Sequence, residues 1–144
     1  MLRSISKFRR IALVSAVALA GCGGGTEGIT EPDIDITGNY VATYFHVTPT
    51  GKPTIDVLAR GGSLTMTITA ASTTSGTLVI PQDVFGSAVN VSMAGFVAKS
   101  GHAVRFSQGA DTFVRTLGWL AGGGTIATDV NDGSSRIEVT LTRQ

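Results

Sequence analysis

Few side chains in this chain of 144 residues carry chemistry of their own: one cysteine, Cys22, and two histidines, His46 and His102, far apart in the sequence. A transition-metal site needs converging Cys, His or carboxylate ligands, and no His-x-His or His-x-x-x-His spacing supplies them. Hydrolysis or group transfer needs a nucleophile beside a base, or paired carboxylates, and no such set stands out. The chain is therefore not read as an enzyme, and neither a metal nor a cofactor is implied. Asp129, Asn131 and Asp132 invite a calcium reading, but they fail the EF-hand spacing of alternating oxygen ligands, then Gly, then a Glu six residues on, and Asn131-Asp132-Gly133 reads better as a hairpin turn. The glycine tracts at 23–25 and 122–124 open no helix, so neither is a phosphate cradle.

What remains is a set of aromatic residues at strand spacing: Tyr40, Tyr44, Phe106, Phe113 and Trp119, with Arg115 among them. Gathered in one cavity, they would bind a small apolar or amphipathic molecule. In a strand over 112–121, strict alternation puts Phe113, Arg115, Leu117 and Trp119 on one face. If that face is interior, Arg115 must meet a buried carboxylate or the anionic head of a ligand, because an unpaired buried charge is costly. A bulge, or a snorkel to the rim, would take it outside instead. His46 shares its alternation face with Tyr40, Ala42 and Tyr44, whereas His102 follows Ser100-Gly101 in a tight turn.

The elements that position these residues begin with a leader. Arg3, Lys7, Arg9 and Arg10 precede an apolar run from Ile11 to Ala20, the layout of a secretory signal helix and too short for a spanning helix of about 20 residues. Leu19-Ala20-Gly21-Cys22 resembles the lipobox of bacterial lipoproteins. That resemblance implies that residues 1–21 are cut away, that Cys22 is acylated as the first residue of the mature chain, and that the protein is exported and membrane-anchored. Gly23 stands where the family's inner-membrane retention signal has Asp, which favours the outer membrane. One acyl chain holds a membrane only marginally, so the anchor rests on the family's multiple acylation.

Four of the eleven basic residues leave with the signal, so seven remain against ten acidic residues, a net charge of −3 instead of +1. No large basic face exists for nucleic acid. Residues 22–36 combine four glycines with Glu27, Glu31, Asp33 and Asp35 and show no apolar period, so they read as the lipidated cysteine and a flexible tether.

From residue 37 to 144 the period is two, with Gly, Asn, Asp or Pro recurring every eight to twelve residues, the pattern of an all-β domain. Strands are expected over 38–48, 54–60, 63–70, 76–80, 89–98, 103–108, 112–121, 125–130 and 136–142. Leu64, Met66 and Ile68 alternate with Ser63, Thr65 and Thr67, and Ile137, Val139 and Leu141 alternate in the same way with Arg136, Glu138 and Thr140. The links are hairpin-length, which predicts antiparallel pairing; the longest, 81–88, reads as a rim loop carrying Phe85. Closing such a meander removes its edges, so an up-and-down barrel of eight or nine short strands is expected, with a two-sheet sandwich as the alternative.

Thr37-Gly38-Asn39-Tyr40, Ser75-Gly76 and Met93-Ala94-Gly95-Phe96 resemble the Gly-x-aromatic openings and Ser-Gly pairs of small lipocalin-like domains in bacterial lipoproteins. The resemblance spans residues 37–143 and implies a calycin-like barrel. Two roles fit it: binding a small hydrophobic ligand, or serving as a non-catalytic envelope or protein-interaction domain. An interior cavity lined by the aromatic set would favour the first, whereas an interior packed solid by Leu64, Met66, Ile68, Met93 and Phe106 would rule out a ligand held within the barrel and leave the second.

Overall fold

The computed structural model describes residues 33–144. The expected signal segment 1–21, Leu19, Ala20, Gly21 and Cys22 of the lipobox, and the tether as far as residue 32 lie outside the described residues. Nine strands follow: β1 (Gly38–Pro49), β2 (Ile55–Asp56), β3 (Ser63–Ile68), β4 (Thr73–Ile80), β5 (Val89–Ser100), β6 (Ala103–Gln108), β7 (Trp119–Gly122), β8 (Thr125–Asn131) and β9 (Ser135–Arg143). Two single helical turns interrupt them, α1 (Gln82–Phe85) between β4 and β5 and α2 (Phe113–Thr116) between β6 and β7.

Every pairing is antiparallel, and β9 returns to pair with β1, so the sheet closes. Eight strands form the barrel. β2 is an addition, pairing with the far half of β1 at His46 and Val47, while β3 takes the near half at Gly38–Val41. This is the closed arrangement anticipated from the short links, and it leaves no long unpaired edge. Thr65 and Thr77, and Thr43 and Thr142, hydrogen-bond through their hydroxyls across neighbouring strands on the outer surface, at 3.0 and 2.8 Å.

The interior is filled. Leu64, Met66, Ile68, Met93 and Phe106 are all buried, as are Tyr40, Trp119, Val139 and Leu141. Gly76 and Gly95 occupy inward positions on β4 and β5 where strands come very close. A Cβ at either would stand 2.0 Å from the carbonyl oxygen of Thr65 or Ser107 on the adjacent strand, so no side chain fits without moving backbone.

Two strands depart from simple alternation. In β1 the register with β9 shifts between Ala42 and Tyr44, leaving Thr43 as an extra residue. This bulge reverses the phase: Tyr40 and Ala42 point inward before it, Phe45 and Val47 after it, and Tyr44 and His46 turn outward. The second departure is the expected strand over 112–121, which is helical in its first half. Buried Asp111 accepts hydrogen bonds from the N–H groups of Phe113 and Val114, each at 2.8 Å, and so nucleates α2. Within that turn Val114 and Leu117 face inward at a spacing of three, and Arg115 is exposed. Leu117 then resumes extended backbone and leads to β7. The strand expected over 54–60 is also shorter than the sequence pattern suggests. It ends at Asp56, whose side chain accepts the Ala59 N–H at 3.1 Å and turns the chain while Val57 plugs into the core.

Candidate functional site: the mouth of the barrel

The strand directions define two ends. At one, the base, lie the start of β1, the end of β9, and the β3–β4, β5–β6 and β7–β8 turns. At the other, the mouth, lie α1, α2, β2 and the β8–β9 turn.

The base is braced by polar contacts and carries a hollow of about 620 Å³ whose lining mixes the charged Asp33, Asp35 and Lys99 with Ile36, Ile68 and Val97. The chain enters through Asp33–Ile36, residues that the sequence pattern assigns to the tether but that lie against the barrel. Ile36 is buried, and the hydroxyl of Tyr40 donates to its carbonyl oxygen at 3.0 Å. That hydroxyl also accepts from Nη2 and Nε of Arg143 at 3.1 and 3.2 Å, while Arg143 Nη1 reaches Asp35 at 3.4 Å. Hydrogen bonds from the Thr37 backbone and hydroxyl, together with the Arg143 charge, hold the Asp35 carboxyl below the usual carboxylate range. Lys99 binds both the Asp33 carboxylate and the Ile34 carbonyl. Gly38, at φ +135° with its Cα face against the Arg143 side chain, makes the turn into β1 where a residue with a Cβ would be strained.

The mouth is apolar. A cavity of about 540 Å³ is lined by Ile80, Phe85, Val89, Phe113, Leu117, Val130 and Ile137, with Thr112, Thr116 and Asp132 as its polar members. Phe85 on α1 is 40% exposed, and its ring lies 6.1 Å from that of Phe113 on α2, which in turn lies 5.7 Å from core Phe45. The two helical turns thus bring a pair of aromatic rings over the opening. α1 is fixed to the turn after β2 by the Arg60–Asp83 ion pair. Asp132 is committed to its own turn: its carboxylate accepts from the Ser134 hydroxyl and from the Ser134 and Ser135 N–H groups, bonds that depress its pKa.

The aromatic residues singled out from the sequence are therefore dispersed. Tyr40 is structural, at the base. Phe106 and Trp119 pack edge to face inside the barrel at 5.7 Å, and the indole N–H donates to the Val114 carbonyl at 2.9 Å, tying the core to α2. Tyr44 is 40% exposed on the outer wall, its ring 4.0 Å from that of His46. His46 Nε2 stands 3.7 Å from Asp56. His102 donates from Nδ1 to the Ala121 carbonyl at 2.7 Å and thereby braces the β5–β6 turn. Only Phe113 lines the mouth. Arg115, expected inside on strict alternation, is outside because α2 replaces the strand.

The sequence reading missed Asp111, Arg105, and the interior pair Thr74 and Gln108. Asp111 could have been found as a capping residue three positions before the i, i+3 apolar pair Val114 and Leu117. Thr74 and Gln108 flank Gly95 in one cross-strand row. Gln108 donates to Met66 Sδ at 3.5 Å, yet its Oε1 and the Thr74 hydroxyl are buried with no protein partner. No spacing rule marks them in advance. Among the described residues no cluster of three or more His, Cys, Asp or Glu side chains could hold a metal ion. Comparisons with protein-family models, with curated proteins and with solved structures find no match to this chain.

Proposed function

We propose that this chain is a bacterial envelope lipoprotein, acylated at Cys22 and carrying a lipocalin-like barrel that takes a small apolar molecule at its mouth. The observation that carries the ligand reading is the apolar cavity of about 540 Å³ under Phe85 and Phe113. Its volume falls within the roughly 300–1,000 Å³ common for small-molecule sites. Its placement is compatible with the anchor reading, because the described chain enters at the base through Asp33 and the mouth opens at the other end. A membrane tether would leave that mouth accessible. Tyr40, Phe106 and Trp119 are themselves buried in the core, so the ligand of this reading sits at the rim and not deep in the barrel. No catalytic step belongs to the proposal.

The packed interior favours a second reading, an envelope scaffold or protein-interaction domain. Phe96 and Leu120, each 63% exposed on the outer wall, are the side chains such a partner would cover.

The test uses the full chain expressed in a bacterial host. Cys22→Ala is expected to leave the membrane fraction, and gently purified wild-type protein is expected to carry a small apolar molecule that Phe113→Asp releases. A variant that stays membrane-bound overturns the anchor. A clean apo mass, with no thermal shift from a fatty-acid and metabolite panel, overturns the ligand reading and leaves the scaffold.

A further inference from the structure

Beside the mouth, on the outer wall, Arg105 of β6 and Arg115 of α2 line one pocket of about 150 Å³ together with Thr116, Leu117 and Gly118. The described residues include five arginines. Arg60 is paired with Asp83, Arg136 with Asp129 and Glu138, and Arg143 with Asp35. Arg105 and Arg115 differ: among the described residues neither has a carboxylate within 4.0 Å. The acid nearest in sequence, Asp111, is buried with both oxygens committed to the N–H groups of Phe113 and Val114. Two guanidinium groups on one concavity repel each other, and an anion between them removes that repulsion. Each also presents planar, forked donors suited to an oxyanion. Arg115 uses one of its nitrogens on the Gln108 carbonyl, at 3.4 Å, which orients the side chain and leaves donors for a ligand.

We propose that Arg105 and Arg115 receive the oxyanion head, of phosphate or carboxylate type, of an amphiphile whose chain enters the mouth cavity. The link is geometric: Thr116 and Leu117 line both the arginine pocket and the apolar cavity, so one short wall separates a cationic concavity from an apolar one. Asp132 lines the apolar cavity but not the arginine pocket, and its carboxylate, held ionised by its turn, repels an anion there. The head is thus directed to the arginine side. The amphiphile part of this inference rests on the mouth reading above; the oxyanion site does not.

Three probes separate the two: dodecyl phosphate, dodecanol and inorganic phosphate, each titrated into the full chain below micelle-forming concentrations by calorimetry. Dodecyl phosphate is expected to bind about ten-fold or more tighter than dodecanol, the worth of one or two charge-assisted hydrogen bonds. The advantage should shrink as salt is raised. Arg105→Gln with Arg115→Gln should abolish the difference without changing dodecanol affinity, and the corresponding double lysine variant should retain part of it. Inorganic phosphate that binds, and is lost in the double glutamine variant, supports the oxyanion site even if dodecanol fails to bind; in that event the mouth reading falls alone. Equal affinities for dodecyl phosphate and dodecanol, with no phosphate binding and no effect of the double variant, overturn the proposal.

Discussion

The two ends of the barrel solve the same problem with different chemistry. Both must cover the open ring of an eight-stranded sheet. The base does so with Asp33–Ile36, strapped down by Lys99, Arg143 and the Tyr40 hydroxyl. The mouth does so with two helical turns whose aromatic rings overhang an apolar hollow. Hydrogen bonds and ion pairs with fixed partners specify one arrangement, and they leave little that a ligand could replace. Apolar contacts are non-directional and can be exchanged for those of a guest molecule at small cost. Both ends carry a hollow, but the one at the base is lined in part by charged side chains already in ion pairs and the one at the mouth mainly by apolar ones, and on that difference the mouth is the end proposed to bind.

Substitutions at the two ends should separate stability from binding. Tyr40→Ala at the base removes a buried ring and the hydroxyl that joins Ile36 to Arg143, and is expected to cost about 3–5 kcal/mol of folding free energy. Denaturant unfolding of the full chain measures it. A loss below about 1 kcal/mol would mean that the base network is ornamental. Phe113→Ala at the mouth removes a half-buried ring and is expected to cost about 1 kcal/mol of stability. It should nonetheless abolish binding of an apolar probe. Equal losses of stability at the two sites would erase the contrast between them.

The smallest effect is on acid stability. Asp35 at the base and Asp132 at the mouth both have pKa values below the ordinary 3.8, each chiefly through hydrogen bonds from the following residues of its own turn. A carboxyl depressed by folding stabilises the native state fully above its unfolded pKa, and that contribution is lost as pH falls through the folded value. Melting temperature is therefore expected to hold steady from neutral pH to about pH 4 and to decline only below 3.8. Carboxyl chemical shifts followed by NMR would locate each titration, and a value at or above 3.8 for Asp35 would contradict the contacts drawn at the base.

The closed barrel was legible because it follows from local rules: period-two strands such as Ser63–Ile68, and links too short for crossovers. The site was less legible, for identifiable reasons. The phase of β1 depends on the bulge at Thr43, which arises from pairing with β9 nearly a hundred residues away; only Phe45 and Val47, apolar at positions alternation would expose, hint at it. Similarly, Phe113 to Trp119 satisfies both a strand pattern and a helical turn, and the choice is made by the Asp111 carboxylate. Those two ambiguities moved Tyr44 and Arg115 from the interior to the surface. Gly76 and Gly95, noticed only as parts of Gly-x-aromatic and Ser-Gly pairs, stand where backbones approach too closely for any side chain.

The central claim, that the apolar end binds and the polar end holds, is tested most directly by a methyl-labelled NMR titration of the full chain with dodecanol. Saturable shifts confined to Ile80, Leu117 and Ile137 at the mouth, with Ile34, Ile36 and Ile68 at the base unmoved, are the predicted result. Shifts centred on the base methyls, or no saturable shift anywhere, would contradict it.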